Sequence, residues 1–133
     1  MNFAFEIIAH RDQRYPTAGD YIWRKGAWIF RVSRMKDRRY CWLVFLHELI
    51  EWAIATRQGV RQGAIDRFDI AYENARSLGM KKAACGCEIQ DEPGDDPHCP
   101  VFKAHQVATK CERLIAEALG VDWEKYNEAV ESL

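Results

Sequence analysis

Three polar residues, His47, Glu48 and Glu51, sit inside the most apolar run of this 133-residue sequence, Tyr40 to Ala55. An α-helix advances about 100° per residue, so Glu51 falls about 40° and Glu48 about 100° from His47, all on one flank. Ionisable groups rarely go inside unpaired. A histidine and a glutamate at i and i+4 project from adjacent turns and suit two ligands of one ion, since imidazole nitrogen and carboxylate oxygen both bind zinc. Without an ion the three would form a solvated stripe, but the run leaves no long polar face for them to share.

Of the remaining histidines, His10 falls in a first strand and His98 in an acidic loop. His105 falls on a third helix, at the edge of an apolar face of Ala104, Val107, Cys111, Leu114 and Ala118, with Thr109, Glu112 and Ala116 along its own stripe. If that helix packs on the central one, His47, Glu51 and His105 make three protein ligands with a position left open, the arrangement a catalytic metal needs. Zinc is the expected ion; the same donors suit iron(II), and a carboxylate-rich alternative would suit magnesium. Glu112 is a candidate acceptor behind a ligand, or an alternative ligand itself.

The string His47-Glu48-x-x-Glu51 resembles the HExxH motif of zincin metallopeptidases, with glutamate in place of the second histidine. The resemblance implies a zincin-like fold, a metal-dependent hydrolase acting on an amide or peptide bond, and Glu48 as general base on a water molecule. The substitution keeps a ligand and adds negative charge. A different class of function also fits the motif: a non-catalytic protein, phage-related, whose metal cross-links helices and whose surface binds a partner.

Glu48-x-x-Glu51 followed by Asp66-x-x-Asp69, with Glu73 on the same sector, resembles the magnesium site of MazG-type nucleotide pyrophosphohydrolases. That family begins with helices and opens its second pair with Glu, where this chain has strand-like residues and Asp66. Cys85, Cys87, His98 and Cys99 could form a structural zinc knot, although paired C-x2-C units are missing. The Asp91–Asp96 cluster lacks the EF-hand pattern, and its Pro-Gly and Asp-Asp-Pro units predict turns instead. Across nearly the whole chain, HELxE, DxFD, PGDDPxxP, HxxAxxxER and VDWxxY are similar to a family of small proteins from bacterial and phage genomes, a likeness that implies one structural unit and no particular substrate.

The elements that must position these residues follow from pattern. Phe3 to Ala9 alternates as a half-buried strand, and Tyr21–Arg24 and Ala27–Ser33 flank Lys25-Gly26 as a hairpin. Helices are expected over about 39–58, 63–78 and 101–119, with a short fourth from Asp122, a good amino-terminal cap. Residues 81–100 form an irregular acidic loop, long enough to suggest a role. The expectation is a single α+β domain over 1–133, with a short antiparallel sheet of about three strands in a β-rich segment 1–38, then three to four helices.

Composition bounds the rest. The chain is 48% hydrophobic and 29% charged with a net charge of −1, the profile of a globular protein. Residues 1–39 hold nine basic against four acidic residues and 40–133 hold ten against sixteen. That asymmetry fits a solvated sheet face beside acidic helices better than nucleic-acid binding. No membrane span is expected, because the Tyr40–Ala55 run is short and carries ionisable residues. The amino terminus lacks a signal-peptide pattern, and five cysteines cannot all pair within the chain, so a reducing, cytoplasmic setting is expected.

Overall fold

The computed structural model describes residues 1–133. Strands β1 (Asn2–Ile8), β2 (Gly19–Arg24) and β3 (Ala27–Ser33) precede helices α1 (Arg38–Arg57), α2 (Gln62–Ser77), α3 (Phe102–Ala118) and α4 (Trp123–Glu131). The expected α+β order, sheet first and helices after, is the order observed. No helix is long and apolar enough to cross a membrane.

The sheet differs from expectation in one respect. Its order is β1-β3-β2, and β1 runs parallel to β3 while β2 is antiparallel to it, so the sheet is mixed and not antiparallel throughout. The hairpin is as predicted, with Lys25 and Gly26 both at positive φ in its two-residue turn. Burial explains the order. β3 is the one strand with no exposed residue, with Phe30 and Val32 fully covered, and such a strand belongs in the middle. The connection from Ala9 to Ala18 therefore carries the chain past β3, and β2 becomes an edge.

Helix α1 lies between the sheet and α3, and apolar residues surround it as a central helix requires. Asp37 caps it, its side chain accepting from Arg39 N–H. Its carboxyl-terminal half packs Trp52 and Ala55 with Tyr21, Phe30, Ile65, Val101 and Ala104. Its amino-terminal half packs Cys41, Leu43 and Val44 with Val32, Ala116, Val121 and Tyr126. His47 and Glu51 fall between these two apolar clusters, so packing on both sides fixes their positions.

Helix α3 buries a different face from the expected one. Ala104, Ala108, Glu112 and Ala116 form the covered i, i+4 stripe, with His105 beside it, whereas Val107 and Leu114 are exposed. Three alanines let α3 approach α1 closely, and that closeness brings the polar side chains of the two helices into contact.

Candidate metal centre

The three expected ligands converge. His47 Nε2 lies 3.0 Å from His105 Nδ1, His105 Nδ1 lies 3.1 Å from Glu51 Oε2, and His47 Nε2 lies 3.6 Å from that same oxygen. Bonds of about 2.0–2.1 Å around a tetrahedral ion place its ligand atoms about 3.3 Å apart. The observed triangle has those dimensions, so His47, Glu51 and His105 could hold a metal ion. All three residues are buried.

Each ligand is held from behind. His47 Nδ1 lies 2.8 Å from Glu112 Oε2, and Tyr126 donates its hydroxyl to the other Glu112 oxygen. With Nδ1–H given to Glu112, the His47 Nε2 lone pair is free to point at the other donors. His105 is arranged in the opposite sense: its Nε2 faces Glu92 Oε2 at 3.1 Å and Asp95 Oδ1 at 3.5 Å, which leaves Nδ1 for the centre. Tyr21 donates to Glu51 Oε1 at 3.0 Å and turns Oε2 inward. Gly94 sits against the His105 ring so closely that a Cβ there would lie 2.4 Å from the ring.

The carboxylates around the centre favour positive charge on its two imidazoles. Burial opposes a charged His47, but Glu112 and Glu51 outweigh it and raise the imidazole to about 10. Burial likewise opposes charge on His105, and Asp95, Glu51 and Glu92 raise it to about 12. Burial disfavours the Glu51 carboxylate, yet the two histidines hold it down at about 2. Glu48 has no cationic partner of that kind. Burial and then the Glu51 charge push its carboxyl well above the usual range, with His47 acting the other way. A proton between the two imidazoles bridges nitrogens 3.0 Å apart, one donating and the other accepting. A metal ion could take the place of that proton among His47, Glu51 and His105.

The centre opens onto a cleft of about 580 Å³. Glu48 lines it and makes no hydrogen bond within the protein. A Cβ on Gly19 would lie 2.6 Å from Glu48 Oε1 and 2.7 Å from Val44 Cγ1, so a glycine at the start of β2 is what lets the strand close on this carboxylate.

The sequence-predicted residues His47, Glu48, Glu51 and His105 thus all face one cleft, and Glu112 stands behind His47 as an acceptor. His10 also lines the cleft but joins no donor cluster, its Nδ1 lying 3.0 Å from Ser33 Oγ. The acidic set Asp66, Asp69 and Glu73 does not join the centre. Asp66 is paired with Arg14 and Gln62, Asp69 accepts from Tyr15, and Glu73 is paired with Arg76. Burial and the Glu51 charge nonetheless raise Asp69 to about 7, with Tyr15 opposing. Glu92 and Asp95, expected only to form turns, were the residues that sequence missed. The one available signal was their place in a long loop running into the helix that carries His105. Comparison with protein-family models, curated proteins and solved structures finds no match to this chain.

Proposed function

We propose that the chain is a zinc-dependent hydrolase of metallopeptidase type, with His47, Glu51 and His105 as ligands and Glu48 as general base. The observation that carries this reading is the convergence of three donor atoms, each oriented by its own hydrogen-bond or ion-pair partner, beside a carboxylate that has none. A zinc ion held there would supply Lewis acidity to a carbonyl and lower the pKa of a water molecule.

The chain's own residues supply the rest. Glu48 is positioned to take a proton from water and return it to a leaving amine, and a raised carboxyl pKa suits that exchange near neutral pH. Tyr21 and Glu112 keep the ligands from rotating. The edge strand β2 lines the cleft at Gly19, Asp20 and Tyr21 and offers an extended backbone a pairing edge, which favours a peptide over other amides.

Zinc-loaded wild type and Glu48→Gln should be compared on a quenched-fluorescence peptide library, with metal content measured in both. The expected result is a fall in turnover of about 100-fold or more at unchanged zinc content. Wild type no faster than the variant would overturn the hydrolase. Burial of all three ligands supports a second reading, in which the ion cross-links α1 and α3 without catalysis; that outcome is the one it predicts.

A further inference from the structure

The loop between α2 and α3 brings four more donors together. Cys85 and Cys87 flank Gly86, which takes φ +87° at the tip of a short hairpin bridged at Lys82 and Glu88. Ala83 N–H donates to Cys87 O and Gly86 N–H to Ala83 O, both at 2.9 Å, closing that turn. Opposite it, Asp96 and His98 stand on the segment that leads into α3, where the Asp96 side chain accepts from His98 N–H at 2.8 Å. Cys85 Sγ lies 2.9 Å from Asp96 Oδ2, Cys87 Sγ lies 3.1 Å from His98 Nδ1, and His98 Nδ1 lies 3.3 Å from Asp96 Oδ1. The four donor atoms all lie within 4.8 Å of one another.

A second observation is independent of that spacing. Asp96 is fully buried, and its only partner within ion-pair range is the exposed imidazole of His98. A buried carboxylate without a fixed cation is costly. Two thiols, an imidazole and a carboxylate around it are the donor types that zinc takes in closed tetrahedral sites, and thiolates exclude magnesium and calcium. Cys99 is not among them: it is buried in the apolar cluster with Trp52 and Val101. The zinc knot read from sequence therefore has the wrong fourth member, because Cys99 faces the core and Asp96 faces the other donors.

We propose that Cys85, Cys87, Asp96 and His98 form a second, closed four-ligand zinc site, independent of the His47, Glu51 and His105 centre, which pins the acidic loop to the start of α3. The residues between its two halves include Glu92, Gly94 and Asp95, which touch His105. Its role is structural: it holds that segment over the first centre.

Metal-free full-length protein, kept reduced with a phosphine, should be titrated with zinc against a chromophoric chelator and separately with cobalt(II). Wild type is expected to bind two zinc equivalents and show a thiolate-to-cobalt charge-transfer band. Cys85→Ser/Cys87→Ser should bind one equivalent and lose the band, while His105→Ala should bind one and keep it. If the double variant does not fold, His98→Ala makes the same test, since its side chain is 61% exposed and its removal leaves the core intact. A wild type with no charge-transfer band, or a double variant that keeps both equivalents, overturns the site. Loss of both equivalents in a variant with unchanged helical circular dichroism overturns its independence. A His105→Ala protein that binds as much zinc as wild type counts against the first centre alone.

Discussion

His47, Glu51 and His105 come from two helices packed along each other, whereas Cys85, Cys87, Asp96 and His98 come from one twenty-residue loop. The helical donors are buried and each has a separate side chain behind it. In the loop, Cys85 is exposed and Cys87 half-buried, and the donors are one another's main partners. The first arrangement exists because apolar packing places it, with or without an ion. The second depends on its own cross-links, as small metal knots do. Rigid elements give precision, and a loop gives closure.

The largest test of that contrast is removal of one histidine from each cluster under chelator. His105→Ala leaves the buried Glu51 without one of its two cationic partners, and breaking such a pair costs about 3–5 kcal/mol in urea unfolding. His98→Ala removes an exposed imidazole but keeps the backbone N–H that donates to Asp96, so it should cost less, about 1 kcal/mol. Equal losses would mean that both clusters are supported alike.

Next in size, Gly94→Ala tests whether the loop bears on the helical centre. Its new methyl would meet the His105 ring, and over-packing of that kind costs about 1–3 kcal/mol. Unchanged stability with unchanged zinc affinity would separate loop from centre.

Acidity discriminates in a third way. In the metal-free protein His47 and His105 are raised to about 10 and about 12. The stability they contribute is therefore full below the unfolded imidazole value of about 6.5 and is lost as pH rises through the folded values. Metal binding needs the neutral imidazoles, so zinc affinity at the helical centre should run the opposite way. It should rise with pH by about 1.4 kcal/mol per unit for each proton released, measured by chelator competition between pH 6 and pH 8 (about neutral). A flat profile would contradict the electrostatics described for that centre.

The smallest expected change is that of Tyr21→Phe, which removes the hydrogen bond to Glu51 Oε1. Stability should fall by about 1 kcal/mol, and zinc affinity by about 10-fold to 100-fold. The loop cluster should be unaffected, as read by its cobalt-thiolate band.

Much of the helical centre was legible because helical spacing alone puts His47, Glu48 and Glu51 on one flank, and His105 was the one histidine on another helix. The face of α3 was not. Val107 and Leu114 suggested a core-facing side, yet both are exposed and the alanines with Glu112 are covered. Periodicity ranks hydrophobicity, and here close approach between helices counted for more than size. The parallel β1–β3 pairing was hidden for a related reason: alternation marks a strand but says nothing about which neighbour it takes. Asp96 escaped notice because turn chemistry and ligand chemistry share the same residue type.

The alanines of α3 have a consequence for ion size. Ala104 and Ala116 pack with residues of α1, and Ala108 lies fully buried between them, so little side-chain bulk stands between the two backbones. That spacing acts as a gauge. A metal ion held there would fit with bonds near about 2.0 Å, whereas calcium, with six to eight oxygens at about 2.3–2.6 Å, would need the helices spread apart. Selection among ions would then rest on three methyl groups as well as on the donors themselves.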